Sequence, residues 1–130
     1  MAVKTQKPTA QQKLVEKYLF EHIWKDKKGR RRESGLTGTS TFTDQKGAIQ
    51  TLYRYSIAPW DTVRNAYIIF TVNILVDAQD QILDRAVYDA RGDKIEPPIV
   101  TEAVVDAYLK RTSDYDTRKN NLNPNVTKSR

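Results

Sequence analysis

The sequence predicts an α+β fold: an N-terminal helix, a three- to four-stranded antiparallel meander, a C-terminal helix and flexible polar ends. Three observations predict it. Apolar residues recur at helical spacing near residues 10–25 and again just after Thr101. Between these stretches the chain alternates apolar and polar residues with a period of two. The connections are short, so elements adjacent in sequence are expected to be adjacent in space.

Each element follows in order. Residues 1–8 are polar, end in Pro8 and read as a flexible arm. Thr9 and Gln12 fit a capping box, the Thr hydroxyl accepting from the first turn and the Gln reaching back. Leu14, Val15, Tyr18, Leu19, His22 and Ile23 then form one stripe of a helix over 10–25, widened by Phe20 and Trp24. Lys25 to Ser34 holds six basic residues and Gly29 and reads as a mobile loop. Gly35 to Thr43 is rich in Thr but carries two glycines, which predicts a marginal edge strand. After the turn Asp44–Gly47, Ile49 to Ile57 alternates, with Ile49, Tyr53, Tyr55 and Ile57 on one face.

Pro59 to Arg64 reads as a connection. Ala66 to Val76 is the clearest strand, with Ile68, Phe70, Val72, Ile74 and Val76 as an unbroken apolar face. It pairs as a hairpin with Ile82 to Ala90 across the turn Asp77–Asp80. Thr101 caps a second helix with the stripe Val104, Val105, Tyr108 and Leu109. Residues 9–112 form one domain, and 113–130 read as a disordered basic and polar tail. The simplest architecture places both helices on the apolar face of the meander and leaves the other face open.

Composition limits the function classes. The sequence has 130 residues and no Cys, so a disulfide framework or a Cys-based zinc site is excluded. No apolar run is long enough for a membrane-spanning helix, and the first nine residues lack the apolar centre of a signal peptide. These features lead to the expectation of a cytoplasmic location. The formal charge of +6 is unevenly spread. Residues 1–35 carry 10 basic and 4 acidic side chains, residues 36–109 carry 6 and 10, and residues 110–130 carry 6 and 2. Basic ends on an acidic middle mean that a polyanion would meet the ends first.

The chemistry-bearing residues are few. His22 is the one histidine, and no catalytic partner is signalled for it, there being no Cys and no Ser in a Gly-x-Ser-x-Gly elbow, so it reads as structural. Asp77, Asp80, Asp84 and Asp89 gather around the hairpin. Two of them lie in a turn, the other two have opposite strand parity, and no EF-hand spacing is present. Gly35 to Ser40 lacks the Gly-Lys-Ser/Thr that opens a phosphate-loop helix. No catalytic set, metal site or cofactor motif emerges, and the expectation is a non-enzymatic protein.

The strongest local feature is Lys27, Lys28, Arg30, Arg31 and Arg32 around Gly29. Such a cluster can follow phosphates, with Arg as a bidentate donor, assisted by Arg118 and Lys119 in the tail. Strand tyrosines on an open face could stack on bases. The leading expectation is therefore a small binding protein that contacts a polyanion, DNA or RNA foremost, with little sequence preference. The order of elements resembles that of double-stranded RNA-binding domains, and equally that of cystatin-like or NTF2-like folds, without a local motif of any of them. That second resemblance implies the alternative expectation: an assembly subunit that meets a protein partner, or a copy of itself, through the open sheet face or the edge strand Leu36–Thr43.

Overall fold

The computed structural model describes residues 9–111. The expected arm, the expected tail and the candidate residues Arg118 and Lys119 lie outside them. Helix α1 (Ala10–Tyr18) starts as its sequence dictates, the Thr9 hydroxyl accepting from the Gln12 N–H at 3.0 Å. It continues as a π-helical turn, Leu19–Ile23, closed by the Trp24 N–H on the Leu19 carbonyl. The helical path thus ends at Ile23 rather than at residue 25, and Trp24–Lys25 forms the short strand β1. Val15 of α1 is fully buried, and the wider turn carries Leu19 and Ile23 to full burial but rotates His22 out of the expected stripe, leaving it exposed.

Strands β2 (Arg32–Thr43), β3 (Ile49–Asp61), β4 (Ala66–Tyr67), β5 (Phe70–Asp77) and β6 (Ile82–Tyr88) follow. All pairings among them are antiparallel, in the order β2-β3-β5-β6, with β4 beside the end of β3. Strand β7 (Val100–Thr101) pairs in parallel with β1. Helix α2 covers residues 102–111, its first turn tied by the Thr101 hydroxyl, which accepts from the Val104 N–H.

Four strand boundaries also depart from the expected ones. The strand expected over Gly35–Thr43 is at the sheet edge but is not marginal: it begins at Arg32 and runs 12 residues, so the expected loop 25–34 shrinks from both sides. Pro59 to Asp61 are not a connection but the end of β3, where Trp60 N–H donates to Arg31 O at 2.7 Å. Ala66 to Val76 is interrupted at residues 68–69, because Ile68 N–H bonds back to Pro59 O and the chain re-enters the sheet only at Phe70. The return strand closes at Tyr88 rather than residue 90.

The core lies between the helices and one sheet face. Tyr53, Tyr55 and Ile57 of β3, Phe70, Val72, Ile74 and Val76 of β5, and Val87 of β6 meet Val15, Leu19, Ile23, Trp24, Val105 and Tyr108. Phe70 is the hub, edge-on to Trp24 at 5.8 Å and to Tyr108 at 5.5 Å between ring centres. Polar ends of core residues are satisfied at its rim. Tyr53 donates to Gln11 and Tyr55 to Glu16, and burial together with the Glu16 carboxylate pushes the Tyr55 phenol well above its usual pKa.

Candidate functional site

The basic loop leads from β1 into β2, and most of its cations are already engaged. Arg30 is tucked in, its side chain only 15 % exposed. Its Nε lies 2.6 Å from an oxygen of Asp26, whose side chain is 2 % exposed, and its Nη2 donates to Asp106 of α2 at 2.8 Å. Lys28 Nζ reaches the other Asp106 oxygen at 2.8 Å. The hydrogen bonds from Lys28 and then Arg30 hold the Asp106 carboxyl below its ordinary pKa. Burial works against the Arg30 charge, but the bonds to Asp106 and Asp26 outweigh it and raise its pKa.

Arg31 and Arg32 take a different seat. The Arg31 guanidinium carbon stands 5.5 Å from the Trp60 ring centre and 5.7 Å from that of Tyr67. Arg32 stands 4.9 Å from the Phe20 ring centre. Both remain exposed, as does Lys27. Beside them a cleft of about 530 Å³ is lined by Lys28, Arg30, Trp60, Asp61, Arg64 and Asp106, among others. Its lining mixes both signs of charge, with Asp61 buried and paired to Arg64. The loop expected to be mobile is therefore tied to the body through Arg30. Arg30 joins β2 to α2.

The remaining candidates separate. His22 is exposed, stacked obliquely on Tyr18 at 4.9 Å with Glu21 its nearest carboxylate. Asp77 and Asp89 each turn one carboxylate oxygen onto two backbone N–H groups of their own turns. Asp80 accepts from Gln11. Among the described residues no group of three or more His, Asp or Glu could hold a metal ion, and no helix is long and apolar enough to cross a membrane. Gly35 to Ser40 sits inside β2. Of the strand tyrosines, Tyr53 and Tyr55 are in the core, and Tyr67 is against Trp60. Tyr88, opposite Thr71, is half-buried on the open face.

The two sheet edges are the remaining surfaces with a defined chemistry. β2 and β3 pair from Arg32↔Pro59 to Thr43↔Ile49, with Thr37 bulged out between Leu36 and Gly38. Arg31 O accepts from Trp60 N–H before the strand, and Asp44 N–H donates to Ala48 O after it. Counting inward from those two bonds, Arg31, Glu33 and Gly35 address β3 before the bulge, and Gly38, Ser40 and Phe42 address it afterwards. Arg32, Ser34, Leu36, Thr39, Thr41 and Thr43 thus turn their backbone N–H and C=O away from the sheet. None of the described elements pairs with that side. From Ser34 to Thr43 the strand has no Pro and no charge, and its outer half is exposed on both faces, with Phe42 48 % exposed.

No family model, curated protein or solved structure matches the chain. The geometry alone thus carries the functional reading. The partners of the basic loop were only half visible in the sequence. Asp26 lies four residues before Arg30, a spacing that could have signalled the pair. Asp106 lies 76 residues away, where no local pattern reaches.

Proposed function

We propose that this chain is a non-enzymatic assembly module that joins a larger protein structure by offering β2 as a pairing strand. One observation carries the reading: a 12-residue edge strand whose outward backbone groups meet no described element and which holds no Pro and no charge over Ser34–Thr43, the bulge at Thr37 being its one irregularity. Backbone hydrogen bonds would supply affinity, and the alternating side chains Leu36, Thr39 and Thr41 would supply selection. The tether of Arg30 to Asp106 and Asp26 supports it, since it fixes the start of β2 on α2 and keeps the edge preformed. A cytoplasmic setting belongs to this reading and is checked by cell fractionation.

The test is site-specific photo-crosslinking in cells, with the photoreactive residue at Thr41 on one edge and at Arg85 on the other. Discrete adducts are expected from position 41 and not from 85. Absence of adducts at 41 would remove the reading.

A second reading, polyanion contact through the basic loop, is favoured by the exposed Arg31 and Arg32 held on aromatic rings and by exposed Lys27. Lys28 and Arg30 contribute less, being committed to carboxylates. About two or three phosphate contacts would then give a log–log salt slope of roughly −2 to −3 on duplex DNA. A salt titration with wild type and Arg31→Ala/Arg32→Ala tests it, and no binding at low salt would end it.

A further inference from the structure

We propose that the strand received by β2 is β2 of a second copy of this chain, laid antiparallel about a two-fold axis that passes through the bulge. The inference rests on the assembly reading and names its partner. The starting point is the phase of the free backbone groups. Before the bulge the even-numbered residues point outward, and after it the odd-numbered ones do.

Two ordinary copies of one strand can slide past each other in many registers. Here the bulge leaves one register in which the whole strand pairs: Thr37 opposite the second copy's Gly38. In that register Arg32 meets Thr43, Ser34 meets Thr41 and Leu36 meets Thr39, each an outward residue facing an outward residue. Every such pair can exchange two N–H···O bonds. The side chains agree as well, because all six residues lie on the core side of the sheet, and Glu33/Phe42 and Gly35/Ser40 pair on the open side. A shift by two residues sets the bulge of one copy against a regular pair of the other and leaves an end of the strand unpaired.

Charge selects the same arrangement. One residue beyond the paired strands, Arg31 comes opposite Asp44 of the second copy, and the two-fold axis repeats that pair at the other end. Arg31 is exposed and held in place over Trp60, and Asp44 is held by bonds from Lys46 and Ala48 N–H to one of its oxygens. A parallel pairing would bring both basic loops together. The antiparallel one separates them by the length of the strand, on the order of 40 Å. A two-fold contact of this kind is closed, so the product is a dimer and not a fibre.

The experiment uses the full chain. Sedimentation velocity across a wide concentration range is expected to give a monomer–dimer equilibrium. Thr41→Pro removes an outward N–H at two symmetry-related places and leaves the β2–β3 ladder intact. It should weaken association by about tenfold or more. A positive test of register exploits the absence of native cysteine. Gly35 and Ser40 become a non-hydrogen-bonded cross-pair, about 4.5 Å between Cα atoms, which is within reach of a disulfide. A Cβ at Gly35 meets nothing within 4 Å. The double variant Gly35→Cys/Ser40→Cys should oxidise to a closed covalent dimer, and Gly35→Cys/Thr43→Cys should not.

A wild type that stays monomeric throughout, or association that Thr41→Pro leaves unchanged, overturns the two-fold pairing, as does failure of the 35/40 pair to close. The crosslinking at Thr41 separates the two claims. Adducts of twice the chain mass agree with self-pairing, whereas adducts of other masses only would leave the assembly reading standing and remove the second copy.

Discussion

The two edges of the main sheet are built differently. Strand β6 is covered where it ends. Ile95 N–H donates to Val87 O at 2.8 Å, Lys94 bridges Tyr88, and Asp89 gathers the intervening turn onto its carboxylate. Its middle carries Asp84 and Arg85, a charged pair of the sort that discourages strand addition. Strand β2 has none of this between Ser34 and Thr43. Exposure of an edge is therefore not a by-product of a small fold. One edge of this sheet is closed by a returning segment and by charge, and the other, longer one is open and anchored at its start. An open, preformed edge is what a pairing module requires.

Four substitutions test this difference between the two edges. Phe70→Ala removes the ring that joins Trp24 and Tyr108 beneath β5, one of the two inner strands of the sheet. It should cost roughly 3–5 kcal/mol and loosen both edges together, measured by denaturant unfolding. An unfolding loss below about 1 kcal/mol would contradict the placement of Phe70 at the hub.

Arg30→Ala should act on one edge only. It strands the buried Asp26 carboxylate and cuts β2 from α2, at a cost of about 2–3 kcal/mol, toward the low side for a broken buried pair because Arg30 retains some exposure. Amide exchange should quicken from Arg32 to Leu36 while Val87 stays protected. Equal loss at both edges would mean that the tether serves the whole fold.

Ile95→Pro reverses the roles. It deletes the N–H that caps Val87 and should destabilise by about 1–2 kcal/mol. With its cover lifted, β6 should become an association edge, read as new self-association by light scattering. Unchanged solution behaviour would show that Asp84 and Arg85 suffice as protection.

The smallest effect is on pH. Asp106 has a folded pKa below its ordinary 3.8, so its contribution is present above that value and is lost as pH falls through the folded one. Asp106→Asn should flatten the acid limb of a stability–pH curve below about pH 4 and leave stability near neutrality only slightly reduced. An unchanged acid limb would show that Lys28 and Arg30 find other partners.

Much of the fold was legible in local pattern. Thr9 and Thr101 marked the helix starts, and the alternation of Phe70, Val72, Ile74 and Val76 placed the central strand, because capping and pleat periodicity act over a few residues. The misplacements share a cause. His22 fits an α-helical stripe until a π-helical turn rotates it outward. Pro59 reads as a break, yet it is tolerated in β3, where the adjacent Trp60 supplies the N–H that reaches Arg31. Arg30 looks like loop charge until Asp106 arrives from the far end of the domain.

Local sequence was enough for the α+β class, the core residues of β5, the turns at Asp44 and Asp77 and the edge character of the Thr-rich strand. Each follows from a residue's own conformational preference or from neighbours a few positions away. Tertiary structure alone decided which edge stayed open, which cations were spent on internal carboxylates, and the phase of the outward backbone groups on β2. Those depend on pairing partners tens of residues distant and on one bulged residue, Thr37, whose hydroxyl donates across the pair to the Arg54 carbonyl.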